Sequence, residues 1–331
     1  MTSSMLSTAA TLLHSLYPHL VDHIVTPEEV TGSDICYFGP NGERDDTSVV
    51  FCRDLDDGKR PMVGTWYLTP ERHVLEWTFT TTVFLLLLSV LYPKLPKYKA
   101  NPNGENPLRP PTWLRAIAFL FFCLMIMYKS TGYSGKLLMI AMPCNVLWCL
   151  AFALSFYPNL STHASHIICQ LWISYTSLTI AALAIPDTSD LVLPFELPYF
   201  FIMHWLLLFF PIYYLCSGKV STLPFPNSGE TYVSSFFKWW SFSCIMFGIF
   251  YVTIITPLSL YSGINLNYML NPPPTPGNII SGPNYRLMSC AGTSLSFLFI
   301  RAVMSLAELI LRLVFNCPFS VHAELRKKKA T

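Results

Sequence analysis

Apolar residues in this chain arrive in blocks long enough to cross a lipid bilayer, and that feature constrains the fold more than any other. A hydrocarbon core of roughly 30 Å takes about 20 apolar residues in helical form. Blocks of this kind run from Leu75 to Tyr92, Trp113 to Tyr128, Leu137 to Tyr157, Ala164 to Ile185, Leu197 to Ser217, Phe236 to Pro257 and Leu287 to Ala307. Pro, Asn and charged residues fill the segments between them. Lipid offers the backbone no hydrogen-bond partner, so each block must close its own bonds as a helix. The expectation is an all-α, polytopic transmembrane helical bundle of about seven spans with short loops.

Composition agrees. Charged residues are 12% of the chain against 52% hydrophobic, about half the charged share of an ordinary soluble domain. A net charge of +2 is too weak a field to imply nucleic acid as a partner. The first 20 residues lack the charged start of a secretory signal, and the apolar run Thr11 to Tyr17 is broken by His14. They read as a short amphipathic helix, which leaves the first span to act as a signal anchor.

Orientation follows from Lys and Arg near span ends. Lys94, Lys97, Lys99 and Arg109 follow the first span, which places that loop in the cytosol. Alternation then puts the acidic loop Pro186 to Glu196 outside and the basic end Arg326 to Lys329 inside. The chain divides into a luminal N-terminal segment (1–69), a transmembrane helical domain (70–317) and a cytosolic basic tail (318–331). Lys328 and Lys329 stand where a dilysine retrieval signal for the endoplasmic reticulum places its lysines, so coat-type retrieval machinery is an expected partner. A basic tail holding anionic lipid is the alternative. Cys36 and Cys52 are the two cysteines in the luminal segment, where oxidation is allowed; they either form a disulfide or stay as thiols. No cysteine spacing matches a zinc or iron-sulfur site, so neither metal nor cofactor is expected.

Reactive or ionisable groups within apolar spans are costly and call for a reason. In Met142-Pro143-Cys144-Asn145 a proline lies about one turn into the third block, where it is expected to open the helix beside a thiol. His204 lies in the fifth block. Cys144 is seven residues beyond Leu137 and His204 seven beyond Leu197, which at 1.5 Å per residue puts both about 10 Å below the luminal surface. A thiol becomes a nucleophile when a base removes its proton, and histidine titrates in the needed range. The pair suggests acyl transfer through a thioester, against the plainer reading of two packing residues. Glu76 and Glu196, near luminal span ends, are candidates for orienting the histidine or binding a headgroup. The amides of Asn265 and Asn267, in the loop before the last block, could donate to an oxyanion or simply make turns. Arg301 needs a partner inside the membrane, and Glu308 and Arg312, four apart, are expected to pair.

With Leu193-Pro194-Phe195-Glu196-Leu197, the run Pro211-Ile212-Tyr213-Tyr214-Leu215, the loop Asn265 to Pro272 and Gly282-Pro283-Asn284-Tyr285-Arg286, these motifs resemble the transmembrane protein 164 family over about residues 70 to 315. The resemblance implies an endoplasmic-reticulum membrane acyltransferase. Such an enzyme moves polyunsaturated acyl chains from phospholipids onto lysophospholipids, ether lipids in particular. The family's catalytic cysteine corresponds to Cys144, its histidine to His204, and Arg286 joins the substrate-binding candidates. The chain departs from the family at Met142 and Asn145, where relatives carry Asn and His around Pro-Cys, and at Asn271, where they carry Cys; substrate choice is open to drift. A more distant likeness to the androgen-induced lipid hydrolases keeps ester hydrolysis as an alternative. A transporter or receptor is the non-enzymatic alternative, although no Asp-Arg-Tyr or Asn-Pro-x-x-Tyr motif stands at the receptor positions.

Overall fold

The computed structural model describes residues 8, 68, 70–96, 106, 108–131, 136–157, 159–186, 188, 191, 193–224, 230–262, 265–270, 280 and 284–315. Cys36, Cys52, Lys328, Lys329 and nearly all of the two terminal segments lie outside the described residues. Every regular element among the described residues is helical: α1 (Pro70–Leu91), α2 (Thr112–Ser130), a 3-10 helix (Lys136–Ala141), α3 (Pro143–Phe156), α4 (Thr162–Ala184), α5 (Glu196–Cys216), α6 (Tyr232–Gly248), α7 (Thr256–Ser262) and α8 (Tyr285–Phe315), with short 3-10 turns at Tyr92–Lys94 and Leu266–Tyr268. A π-helical stretch, Ile249–Ile255, joins α6 to α7.

Among the described residues, five helices are long and apolar enough to cross a membrane: Arg72–Lys94, Thr112–Ser130, Thr162–Ala184, Glu196–Cys216 and Tyr232–Leu260. The chain is thus a multi-pass helical membrane protein, as its apolar blocks predict. The remaining two blocks fold differently from expectation. The third is not one helix opened by a proline: it divides into the 3-10 helix, an extended Met142 (φ −65°, ψ 142°) and α3. Pro143 stands at the first helical position, where its missing N–H has no intrahelical acceptor to lose. The freed carbonyl expected inside a continuous helix is therefore absent. The last block extends into a 31-residue helix, α8, whose apolar run is interrupted by Arg286, Arg301, Glu308 and Arg312.

The bundle is apolar outside and partly polar inside, the inverse of a soluble protein. Leu85, Leu86, Phe299, Leu306 and Leu313 are exposed, while Ser165, His166, Ser174, Ser243 and Arg301 are fully buried. α4 is the hub, packing on α3, α5, α6 and α8. Its Trp172 stacks on Phe210 of α5 at 5.0 Å between centroids and donates its indole N–H to the Leu207 carbonyl at 3.1 Å. On the other flank, Phe121 of α2 is stacked between Trp148 of α3 and Tyr199 of α5, at 5.1 and 5.7 Å. α1 packs on α6, where Gly248 admits the Phe84 ring: any Cβ at that position would overlap it.

Hydrogen bonds tie the helix ends into two opposite faces. At one face Asn106 donates to the Leu160 carbonyl (3.2 Å), Tyr214 to that of Leu108 (2.8 Å) and Lys219 to that of Arg109 (2.9 Å). Glu308 accepts there from Ser221 and Thr222 and pairs with Arg312 at 2.7 Å, as the four-residue spacing predicts. The other face gathers the ends of α2, α5, α1 and α8, and holds the candidate site.

Candidate functional site

Cys144 is the second residue of α3 and half-buried. It packs against the apolar cluster to which Trp148, Tyr199 and Met203 belong. A helix start of this kind presents backbone N–H groups and a partial positive charge, which favours an anion forming there. Asn145, next in sequence, is 3% exposed. Its amide donates to the Met139 carbonyl at 2.7 Å, bracing the 3-10 helix against the first turn of α3.

His204 lies on α5, which packs on α3, and is fully buried. Its Nδ1 is 2.7 Å from the Phe200 carbonyl oxygen. A carbonyl only accepts, so Nδ1 carries the proton, and in the neutral ring Nε2 carries the lone pair. Nε2 is buried and makes no hydrogen bond, to Cys144 or to any other described residue. Thiol and imidazole are thus placed on adjacent helices without being joined.

The other candidates divide. Glu196, 1% exposed, does not reach His204: it pairs with Lys136 at 2.6 Å and faces Lys129 at 3.6 Å. Glu76 is joined to Arg286, 3.2 Å away, and to Arg72 at 2.6 Å. Arg286 also donates through Nε to the Met269 carbonyl (2.9 Å) and lies 2.8 Å from His73 Nδ1. Its fork clamps the loop before α8 to the start of α1. Asn265 accepts from the Leu270 N–H at 2.8 Å, and the Asn267 amide donates to the Tyr251 hydroxyl. Asn265 closes the loop on itself, whereas Asn267 ties it to the π-helical stretch that carries Tyr251. The loop is nevertheless a neighbour of the thiol's segment. Leu138, Met139 and Ala141 of the 3-10 helix pack against the cluster containing Leu266 and Met269.

Backbone strain collects at this same face. The non-glycine residues of positive φ among the described residues are Phe195 (63°), Asn267 (49°) and Tyr268 (61°). Asn adopts this region readily; Phe and Tyr do so at a cost of about 1–3 kcal/mol each. Strain of that size persists where surrounding contacts hold the geometry; here Glu196, next to Phe195, accepts from the Leu193 N–H, and Arg286 holds the Met269 carbonyl next to Tyr268. Sequence reasoning missed Lys136 and His73. Lys136 reads as an ordinary loop lysine. The spacing of Arg72, His73 and Glu76 does place them on adjoining turns of one helix, a signal that could have found the cluster.

The TMEM164 family matches this chain over residues 67–305. The chain is also similar to the "Transmembrane protein 164 homolog" of Dictyostelium discoideum, 26% identical over 220 residues, covering 63% of this chain and 74% of the relative. No solved structure matches.

Proposed function

We propose, from the premise that the chain belongs to the TMEM164 family, that it is an acyltransferase of the endoplasmic-reticulum membrane using Cys144 as nucleophile and His204 as base. The observation that carries this reading is the hydrogen bond from His204 Nδ1 to the Phe200 carbonyl. It leaves a buried lone pair on Nε2, on the helix packed against the one that begins at the thiol. Catalytic hydrogen bonds of this kind commonly close only in the complex with substrate.

In the proposed reaction Nε2 takes the thiol proton and the sulfur attacks the carbonyl carbon of a phospholipid ester. The ester C–O bond breaks, and His204 returns the proton to the departing lysophospholipid oxygen, leaving a thioester on Cys144. An incoming lysophospholipid hydroxyl then gives its proton to Nε2 and attacks the thioester, and the C–S bond breaks to restore the thiolate, which recovers that proton. Excluding water favours transfer over hydrolysis. Polyunsaturated chains and ether-lipid acceptors are the substrates this reading adopts. Purified protein given a phospholipid with a labelled acyl chain and an unlabelled lyso acceptor is expected to yield a new labelled diacyl lipid. Labelled free fatty acid without that product would replace the transferase by a hydrolase.

The same reading counts seven crossings. α3 alone spans about 21 Å at 1.5 Å per residue, and the 3-10 helix before it supplies the remainder. α8 crosses with its charged residues turned inward. Seven crossings put the N-terminus in the lumen, the tail in the cytosol, and the site at the luminal leaflet. Asn159-Leu160-Ser161 then forms a glycosylation sequon on the cytosolic face, where Asn106 bonds the Leu160 carbonyl. It is expected to stay unmodified: treating the protein expressed in microsomes with an endoglycosidase should not change its mobility through Asn159. Sugar at Asn159 would invert the orientation and move the site to the cytosolic leaflet.

A further inference from the structure

Apolar packing fixes the distance between helices better than it fixes their register, because leucine and phenylalanine surfaces slide with little loss of contact. The thiol and imidazole of the proposed reaction sit on two segments whose register decides whether they meet. One buried ion pair joins those segments. Lys136 opens the 3-10 helix that runs into Cys144, and Glu196 opens α5, which carries His204. Each precedes its member of the pair by eight residues. Lys136 Nζ lies 2.6 Å from Glu196 Oε2, and both side chains are 1% exposed.

The surroundings hold this contact in one geometry. Glu196 Oε2 also accepts from the Leu193 N–H at 3.2 Å, which closes the turn before α5 onto the carboxylate. Phe195 takes the left-handed conformation (φ 63°) immediately before it. Lys129, in the last turn of α2, faces the second oxygen at 3.6 Å. The end of α2, the start of α5 and the 3-10 helix therefore converge on one carboxylate. A charge pair without water to replace it is directional in a way that apolar contacts are not, and buried polar groups set register in other helical assemblies.

We propose that Lys136 and Glu196 are positioning residues, a clamp that sets the register of Cys144 against His204 and so sets the rate of acyl transfer. The inference rests on the Cys144/His204 reading above. It goes beyond that reading by assigning a task to an ion pair that stands eight residues before the thiol on one segment and eight before the imidazole on the other. Its rival is a purely structural role, in which the pair keeps the chain folded and the folded molecules transfer at the ordinary rate.

The test uses the full-length protein in phospholipid nanodiscs, with transfer of a labelled acyl chain to lysophosphatidylcholine and thermal unfolding measured on each variant. Lys136→Met/Glu196→Leu, made together with Lys129→Met so that no lysine is left facing the lost carboxylate, removes the charges while keeping apolar bulk, an exchange that buried ion pairs often tolerate without loss of stability. A positioning role predicts a fall in kcat of about 10- to 100-fold, the size associated with a misplacement on the order of 1 Å, with KM nearly unchanged. In the same Lys129→Met background, which removes the lysine that would repel the new one, the reversed pair Lys136→Glu/Glu196→Lys should recover part of kcat. An independent readout is the pH profile of Cys144 alkylation, followed by mass spectrometry: the apolar pair should move it toward the profile of His204→Ala. Should the apolar pair fail to fold, Glu196→Asp keeps the charge but shortens its reach, and should show the same loss in kcat.

Wild-type kcat and an unchanged alkylation profile in a folded clamp variant overturn the clamp. That result is distinct from failure of the underlying reading, which is signalled by Cys144→Ala retaining transfer and which removes the clamp's purpose with it.

Discussion

Cys144→Ala is expected to lower acyl transfer by at least about 10³-fold while leaving the bundle folded, and His204→Ala to do nearly the same. The two losses should not add. Nucleophile and base act as one unit, so the variant lacking both should be no slower than the worse single variant. Stability is the internal control. Cys144 is half-buried at the first turn of α3, and removing one sulfur atom there should cost on the order of 1 kcal/mol. His204 is fully buried, so its alanine variant leaves a cavity and should unfold earlier; His204→Gln, of closer volume, separates lost base from lost packing. The measurement is transfer of a labelled acyl chain by purified protein, set beside the phospholipid profile of cells carrying each variant. A transporter or receptor would tolerate Cys144→Ala, so wild-type transfer, or an unaltered lipid profile where wild type changes it, would sink the enzyme reading.

The bundle was legible in the sequence because lipid permits so few solutions. A block such as Leu197 to Ser217 must be a helix whatever surrounds it, and the structure has Glu196–Cys216. Failures came where local geometry departs from the regular helix that hydropathy assumes. A rise of 1.5 Å per residue puts Cys144 and His204 at a common depth only if both segments are α-helical, yet the segment before Cys144 is a 3-10 helix ended by the extended Met142. The pairing of those helices survives, but the common depth no longer follows from counting. Pro143 misled for a related reason. Inside a helix it is a break, at a helix start it is neutral, and the sequence does not mark which of the two it occupies.

Partner choice was harder to read than position. Glu196 looked like a group for orienting the histidine because it precedes His204 on one helix; the structure gives it to Lys136, sixty residues away in sequence. Arg286 looked available to a headgroup, yet the Met269 carbonyl, His73 and Glu76 take its fork. In each case a long polar side chain in an apolar interior is bound by whichever polar group the fold brings nearest. That neighbour is set by helix packing, which periodicity does not encode. Glu308 and Arg312 were predictable because both lie on one helix, where spacing alone decides.

The same logic makes Gln170 a residue whose loss should destabilise the fold strongly. Arg301 is fully buried, and no carboxylate pairs with it among the described residues. Its NH2 group donates to Gln170 Oε1 at 2.5 Å; NH1 makes only long contacts, with the Gln170 carbonyl at 3.5 Å and Ser174 Oγ at 3.4 Å. The Gln170 amide in turn donates to the Ser221 carbonyl at 2.7 Å, joining α4 to the segment after α5. Gln170→Leu leaves a buried guanidinium without its short acceptor, and should cost about 1.5–3 kcal/mol. An ordinary neutral hydrogen bond between membrane helices is worth only about 0.6 kcal/mol, so the size of the effect identifies the charge as its cause. Arg301→Met should be far milder, because the group that needs solvation leaves with the substitution. The decisive comparison is Gln170→Leu/Arg301→Met, expected to unfold at a higher temperature than Gln170→Leu alone when both are followed in lipid nanodiscs. If the second substitution fails to restore stability, Gln170 matters through its bond to Ser221 rather than through Arg301, and the guanidinium is held by the hydroxyl and backbone groups of α4.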